Sequence, residues 1–167
     1  MSKTENSAPA PQAAAQHLAE RTARAMYEGD AATRGLGIEI VEVRPGFIRA
    51  TMLVRPEMVN GHGVCHGGYL FTFADSAFAF CCNSFNAVTV AAGATIDFVA
   101  PGYEGDRLTA TATQLWRAGK TGLYDITVTN QHGAAVALFR GRSYQLKGQV
   151  VPDPENPPTG AGTGAPE

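Results

Sequence analysis

The most apolar segment of the sequence, HGGYLFTFADSAFAFCCNS (66–84), contains one carboxylate, Asp75. A buried charge without a partner is costly, and a neutral acid without a hydrogen bond still costs about 1–3 kcal/mol. In a structural interpretation, Ser76, Thr72 or a backbone amide satisfies the carboxyl group. In a chemical interpretation, Asp75 is a general base or nucleophile, because desolvation raises the basicity of a carboxylate. The residue alone leaves both interpretations open.

Two glycines, Gly67 and Gly68, stand at the start of the same segment. If a helix begins there, its first N–H groups are unobstructed and its dipole adds partial positive charge. Such a place stabilises a carbonyl oxygen that develops negative charge, as an oxyanion hole does. A tight transition from loop to helix would explain the glycine pair equally well.

The spacing of these residues limits how they could act together. Gly67 and Asp75 are eight residues apart, which corresponds to about 12 Å along one helix. Groups that serve one carbonyl carbon both approach the reacting atoms to within about 3–3.5 Å. One copy of the helix cannot supply both groups to one substrate, whereas two antiparallel copies can. If both residues are catalytic, the protein is at least a dimer with shared sites.

Other reactive residues carry weaker patterns. His62, Cys65 and His66 could bind a metal, but a closed zinc site needs a fourth ligand and no second cluster is evident, so we expect no metal. Cys81 and Cys82 lie within the apolar segment without an evident base, which argues against a cysteine nucleophile. No phosphate-binding, dinucleotide-binding, GxSxG or HExxH motif is present.

The elements that must position these residues form an α+β pattern. The apolar segment has no period-2 alternation, which predicts a helix buried on most sides. Alternation and turn residues predict strands on either side of it, with a bulge between Ile40 and Val41. We therefore expect a curved antiparallel sheet wrapped around a long central helix. The predicted helices are 14–32 and 66–84, and the predicted strands are 38–44, 47–54, 88–99, 106–118, 123–130 and 134–147.

Composition predicts the domain limits and excludes several classes of partner. Residues 1–14 and 148–167 are rich in Ala, Pro, Gly and small polar residues, so we expect disordered tails around a domain at 15–147. The net charge of −2 and the absence of a Lys/Arg cluster argue against a nucleic-acid partner. Three cysteines without a CxxC, no signal peptide and no apolar stretch long enough to span a bilayer predict a cytoplasmic protein without a membrane partner.

A family resemblance follows from the motif residues. The run NGHGVCHGG (60–68), followed by Leu70-Phe71, ADSAFA (74–79) and Asn83, resembles the PaaI-type thioesterases of phenylacetic acid degradation, which have the hot-dog fold. The likeness covers almost the whole of residues 20–147. It continues through the segments 25–38, 94–112, 120–126 and 136–143.

The resemblance implies a tetramer built from hot-dog dimers that hydrolyses phenylacetyl-CoA and its ring-hydroxylated relatives. No cofactor is implied, because the CoA thioester is the substrate. The resemblance also implies that Asp75 is the base or nucleophile and that the Gly67 N–H polarises the thioester carbonyl. Asn60 and His66 would line the site, and Ser76 would be the small hydroxyl residue beside the carboxylate.

Contacts with the rest of the acyl-CoA are less sharply indicated. Gly68 is expected to bind substrate beside Gly67. Lys120, Arg140 and Arg142, near strand ends and turns, could bind the CoA phosphates, although each could equally be an ordinary solvated charge. Acyl specificity is expected to depend on pocket depth, set by side chains such as Phe71, Phe78, Phe80 and Phe98.

Two other functions are compatible with these residues. A hydratase or dehydratase of the same fold would use a His–carboxylate pair, for which His66 and Asp75 are the candidates. A non-catalytic acyl-CoA sensor would bind the ligand without turnover. Such sensors usually carry a DNA-binding module, for which the sequence has no room.

Overall fold

A six-stranded antiparallel sheet packs against one long helix. The computed structural model describes residues 11–153. The α+β fold expected from the sequence is confirmed. The elements are α1 (Pro11–Gly29), α2 (Ala31–Gly35), β1 (Glu39–Arg44), β2 (Phe47–Leu53), a single 3-10 turn (Pro56–Met58), α3 (Gly67–Asn83), β3 (Ala87–Phe98), β4 (Arg107–Ala118), β5 (Thr121–Thr129) and β6 (Ala135–Gln149). The sheet order is β1-β2-β4-β5-β6-β3, and helix α3 packs against strands β2 to β6.

The first helix differs from its prediction at both ends. It begins at Pro11, so residues 11–14, which were expected to lie in a disordered tail, are helical. Proline is well tolerated in the first turn of a helix, and the alanines that follow favour helix. The helix ends at Gly29 because Asp30 caps a new short helix: its Oδ1 accepts a hydrogen bond from Thr33 N–H at 2.9 Å. Aspartate is a preferred residue at that position.

The other end of the domain also extends past the expected limit. Strand β6 ends at Gln149 rather than at 147, and the chain remains ordered against the domain as far as Asp153. The Asn86 side chain bonds both the N–H (2.8 Å) and the C=O (2.9 Å) of Val151, while Arg21 donates to the Pro152 carbonyl. The remaining parts of the predicted tails, 1–10 and 154–167, lie outside the described residues, so disorder there stays a prediction.

Helix α3 is buried on most of its surface, as its composition predicts. Leu70, Phe73, Ala77 and Phe80 are each at most 3 % exposed. The helix also approaches the sheet closely at Gly141 on β6, where a Cβ atom would lie 2.8 Å from the Phe78 ring. The close contact between Phe78 and Gly141 sets the distance between α3 and the sheet at this point. No helix among residues 11–153 is long and apolar enough to cross a membrane.

Both ends of α3 are tied to the surrounding structure. At its start, His66 N–H donates to Met58 C=O and Cys65 N–H donates to Gly102 C=O, both at 2.8 Å. At its end, the buried Asn83 side chain accepts a hydrogen bond from Thr89 N–H (2.9 Å) and donates one to Thr89 C=O (2.8 Å). The Asn83 side chain therefore bonds both backbone groups of Thr89, as the backbone of a neighbouring strand residue would. These two bonds fix the distance between the end of α3 and β3.

The two edges of the sheet differ in how exposed their backbone is. Strand β1 is short, contains three charged residues, and has the predicted bulge, because its pairing with β2 skips Val41. The Gln16 side chain from α1 also donates to the Val43 carbonyl at 2.7 Å. Strand β3 has twelve residues, AVTVAAGATIDF, with Asp97 as its one charge and most of its central residues exposed. Charges, bulges and short length protect an edge. Strand β3 has a bulge as well, because its pairing with β6 skips Ala92, but its greater length and single charge leave it less protected than β1.

Candidate active site

His66 caps the first turn of α3. Its Nδ1 accepts a hydrogen bond from Gly68 N–H at 3.0 Å, with the His66 backbone in the extended conformation that precedes a helix. The Gly68 N–H is therefore occupied. Because Nδ1 is the acceptor, the proton of a neutral His66 ring lies on Nε2. The ring can donate a hydrogen bond outward while it holds the turn.

Gly67 keeps a donor without a partner. Among residues 11–153, no group accepts a hydrogen bond from the Gly67 N–H. This N–H lies at the positive end of the α3 dipole, where a carbonyl oxygen with partial negative charge is stabilised. Of the two glycines singled out in the sequence, Gly67 has the donor available for a ligand, and His66 decides which one it is.

A cavity of about 480 Å³ lies beside this donor. Most of its walls are apolar, and Asn60 supplies a polar side chain. The Asn60 Oδ1 accepts hydrogen bonds from His62 N–H (2.9 Å) and Val64 N–H (3.4 Å), which leaves its NH₂ group as the free donor. The cavity therefore combines an apolar lining with two polar donors, Asn60 and Gly67. Its walls include Asn60, Gly67, Leu70, Phe98, Val99 and Pro101.

The Phe98 ring packs directly on Gly67. A Cβ atom at position 67 would lie 2.9 Å from the nearest ring carbon, closer than real Cβ atoms approach. A residue with a Cβ atom at position 67 would therefore force either the Phe98 ring or the backbone of the turn to shift. Of the four phenylalanines expected to set pocket depth, Phe78 and Phe80 are 1 % exposed core residues. Phe71 and Phe98 are 37 % and 54 % exposed and can contact a ligand.

Asp75 carries a half-buried carboxylate without a hydrogen-bond partner in the described part of the chain. Its burial raises the pKa of the carboxyl group above the ordinary value. The two hydroxyls that could have satisfied it bond elsewhere: Thr72 donates to Gly68 C=O at 2.9 Å, and Ser76 pairs with Thr33. The structural interpretation of Asp75 therefore lacks its partners, and the carboxylate is available as a base.

Ser76 faces α2 rather than the carboxylate. Its Oγ lies 3.1 Å from Oγ1 of the fully buried Thr33, which in turn lies 2.6 Å from Oδ2 of Asp30. The Thr33 hydroxyl can donate to the Asp30 carboxylate and accept from Ser76. This line of hydrogen bonds anchors α2 to α3. Only the fold could have revealed Thr33, because it is 43 residues away from Ser76 in the sequence.

The three candidate CoA-binding cations lie apart from these groups within one chain. Arg140 makes a bidentate ion pair with Asp125 (2.7 and 2.8 Å), which holds the pKa of that carboxyl below its usual range. Arg142 lies on the same exposed face of β6, turned away from α3, and contacts the Ala92 carbonyl. Lys120 lies in the β4–β5 turn, 5.9 Å from the centre of the Tyr144 ring. Their contact with CoA stays a prediction.

The cysteines and the HxxCH pattern form no reactive centre in the described chain. Burial raises the pKa of Cys65 to about 11 and of Cys82 to about 12, and raises that of Cys81 as well. These groups remain thiols, which are poor nucleophiles. Within residues 11–153, no group of three or more His, Cys, Asp or Glu side chains could hold a metal ion.

Comparisons with known proteins agree with this fold. Residues 62–137 match the family model described as the thioesterase superfamily. The chain is 49 % identical over 135 residues to the acyl-coenzyme A thioesterase PaaI of Escherichia coli K12, covering 81 % of this chain and 96 % of that protein. The solved structure of the E. coli PaaI protein from the phenylacetic acid degradation operon superposes with a TM-score of 0.79, over 80 % of this chain and 97 % of that chain.

A more distant relative has been solved with its ligand. The structure of a protein from Streptococcus pneumoniae TIGR4 described as a hypothetical thioesterase, 28 % identical, was determined with coenzyme A and gives a TM-score of 0.64. The match covers 67 % of this chain and 90 % of that one.

Fold and sequence together define a hot-dog thioester hydrolase, which favours this class over the hydratase and sensor alternatives. Within the class, the chain belongs to the PaaI family of acyl-coenzyme A thioesterases. The family resemblance of the HGG and ADSA motifs is thereby confirmed.

Proposed function

We propose that the chain hydrolyses phenylacetyl-CoA and ring-hydroxylated aryl-acyl-CoA thioesters to the free acid and CoA, in cytoplasmic phenylacetate catabolism. The observation that carries the proposal is Asp75, a half-buried carboxylate of raised pKa without a hydrogen-bond partner among residues 11–153. The aryl substrate class is supported by the similarity to a protein of the phenylacetic acid degradation operon.

In the proposed mechanism, the thioester carbonyl accepts a hydrogen bond from Gly67 N–H, and the free NH₂ of Asn60 is a second donor. The partner subunit's Asp75 either takes a proton from a water that attacks the carbonyl carbon or attacks it directly. In the water route, the C–S bond breaks as the tetrahedral intermediate collapses. The CoA thiolate then takes up the proton that the carboxylate had accepted. In the direct route, the carboxylate forms a mixed anhydride with the acyl group as the C–S bond breaks and CoA thiolate leaves, and water then hydrolyses the anhydride to the free acid and restores the carboxylate, with one proton passing to the thiolate.

A homodimer with shared sites is part of this proposal. Gly67 and Asp75 lie in the same helix, about 12 Å apart by helical rise, so one chain cannot complete the site. Strand β3 offers a long edge of twelve residues with one charge, whereas β1 at the opposite edge has six residues, three of them charged. Antiparallel pairing of two β3 strands would extend the sheet across the dimer and bring two α3 helices to the same side.

The tetramer is proposed from the outer face of the sheet, which α3 does not cover. Two apolar pairs lie on this face, Trp116 with Leu123 and Tyr144 with Val90 (together, the outer patch). Each of these side chains is between 37 % and 51 % exposed. An exposed apolar patch of this kind favours contact with a second protein surface, and we assign it to a second dimer.

The proposed CoA-phosphate contacts belong to the same outer face. Arg142 stands beside Leu123 across the β5–β6 pairing, and Lys120 lies next to Tyr144. Neither makes an ion pair within residues 11–153, whereas Arg140 is engaged with Asp125. Lys120 and Arg142 therefore have charges available for a phosphate, whereas Arg140 would share its charge with Asp125.

The test is release of free thiol from phenylacetyl-CoA, with hexanoyl-CoA as the straight-chain comparison. Wild type is expected to hydrolyse the aryl thioester more efficiently. Asp75→Asn keeps the shape of the side chain and removes the base, so its kcat should fall by about 10²-fold or more. Glu28→Gln, an exposed carboxylate on α1, is the matched control and should retain full activity.

Two outcomes would contradict the proposal at different levels. Near-normal turnover by Asp75→Asn would remove Asp75 from the chemistry. Wild type that releases no thiol from either substrate, yet binds acyl-CoA, would reject hydrolysis by this chain and favour the sensor.

A further inference from the structure

The Phe98 side chain occupies a position that the proposed mechanism does not use. It ends β3, and its ring lies against the first turn of α3 at Gly67. A large aromatic side chain in van der Waals contact with a helix is normally well covered, yet Phe98 is 54 % exposed. One side of the ring therefore rests on Gly67, and much of the remaining surface is open.

The open part of the ring lines the same cavity as the Gly67 donor. The cavity of about 480 Å³ is bounded by Phe98 together with Leu70, Val99 and Pro101 as apolar walls. Apolar pockets with a few placed donors are the usual form of small-molecule sites. Because the ring touches Gly67 itself, a carbonyl bound to Gly67 N–H has its substituents within reach of Phe98.

The ring is held in place by the sheet and the loop that follows it. Phe98 pairs with Ala137 on β6, and both Val99 N–H and Ala100 N–H donate to the Val136 carbonyl, at 3.0 and 3.3 Å. The backbone on either side of the ring is thus fixed to β6. The Cα atom of Phe98 therefore has a fixed position beside the cavity, and the ring extends from it onto Gly67.

We infer that Phe98 is a specificity-determining residue that contacts the acyl group and favours aryl over saturated acyl groups. The inference rests on the proposed function, because it assumes that the thioester carbonyl binds at Gly67. The physical basis is that an aromatic ring gains more from an aromatic partner than from a saturated one of equal area. Without the Phe98 ring, the difference in kcat/KM between an aryl substrate and a cyclohexyl substrate of similar size should become smaller.

The experiment compares phenylacetyl-CoA with cyclohexylacetyl-CoA, which differ in aromaticity but little in size. In Phe98→Leu, the ratio of the two kcat/KM values is expected to fall by about 3- to 10-fold. Phe98→Tyr keeps the aromatic face and should retain the wild-type ratio. Tyr103→Leu is the matched control, because Tyr103 is also 54 % exposed and lies in the neighbouring loop outside the cavity lining.

The outcomes separate this inference from the proposed function. An unchanged ratio in Phe98→Leu, or an equal loss for both substrates, overturns the role of Phe98 while hydrolysis stands. If wild type releases no thiol, the proposed function fails, and the same ratio is then measured as dissociation constants for the two non-hydrolysable thioether analogues. A fall of that ratio in Phe98→Leu supports the inference, and an unchanged ratio overturns it.

Discussion

At the scale of the residue, the carboxyl group of Asp75 is distinguished by neighbouring hydroxyl groups that do not donate a hydrogen bond to it. The sequence predicts an unusual aspartate, because one carboxylate stands in an apolar segment, but it leaves Ser76 and Thr72 as possible partners. The structure removes both, since Thr72 bonds Gly68 C=O and Ser76 bonds Thr33. That result depends on the packing of α2 against α3, which no local pattern encodes.

The raised pKa of Asp75 predicts a stability effect whose sign can be worked out. The folded protein holds the Asp75 proton to higher pH than the unfolded chain does. Between the two pKa values the folded state binds more protons, so the free energy of unfolding falls as pH rises through this range. At pH values above this range, Asp75 is ionised in both states, and its half-buried charge lowers the free energy of unfolding. Asp75→Asn should therefore melt at a higher temperature than wild type at pH 7, by about 1–4 °C.

The measurement is thermal unfolding of wild type, Asp75→Asn and Glu28→Gln between pH 4 and pH 8. The advantage of Asp75→Asn should shrink toward pH 4, where the wild-type carboxyl group becomes protonated. Glu28→Gln, at an exposed position, should follow wild type throughout. A lower melting temperature for Asp75→Asn at every pH would mean that the carboxylate stabilises the fold through a partner.

At the scale of the element, the start of α3 depends on two neighbours from distant parts of the sequence. Gly67 and Gly68 predict a helix N-terminus from sequence, and α3 does begin at Gly67. The His66 ring on Gly68 determines which N–H remains available, and the ring of Phe98, 31 residues later, fills the space that a side chain at position 67 would need. The helix could be predicted from its composition, whereas the identity of its free donor could not.

A double-mutant cycle tests the contact between Gly67 and Phe98. Gly67→Ala places a methyl group 2.9 Å from the ring and should displace the donor, lowering kcat/KM for hexanoyl-CoA on the order of 10- to 10²-fold. Adding Phe98→Ala removes the clash and should restore most of the activity, which appears as a non-additive coupling. A straight-chain substrate is used so that the aryl preference assigned to Phe98 does not enter.

Gly35→Ala is the control for the effect of a methyl group as such, because nothing lies within 4 Å of a Cβ atom at that position. It should leave kcat/KM unchanged. If the double variant is as slow as Gly67→Ala alone, the loss does not arise from the collision with Phe98.

At the scale of the whole molecule, register explains what the sequence could and could not provide. The order of helices and strands, the bulge at Val41 and the buried helix follow from local patterns. The pairing of Arg140 with Asp125 follows from the register between β5 and β6. The sequence alone therefore could not reveal that the charge of Arg140 is paired within the sheet. The break at Asp30 could not be predicted, because the helical pattern continues on both sides of it.

The proposed dimer can be tested at its edge strand. Lysine on an edge strand disfavours pairing with another strand, so Ala94→Lys on β3 should shift the protein toward monomers in sedimentation velocity. Thiol release should fall in parallel, because monomers lack complete sites. Val41→Lys on the protected edge β1, where Val41 is 52 % exposed, should change neither property. Monomers with full activity would reject the shared site, and an unchanged assembly would reject the β3 edge.

The unequal edges of the sheet also bear on how far such an assembly can grow. Pairing through β3 uses the same strand from both chains, so it closes after two copies and leaves none of that edge exposed. The combined sheet would then end on both sides in β1, with its bulge, its charges and the Gln16 side chain over the Val43 carbonyl. The two β1 edges would disfavour pairing with any further strand. Pairing through β3 would therefore give a closed dimer and not a growing fibre, because β1 at both outer edges disfavours the addition of further strands.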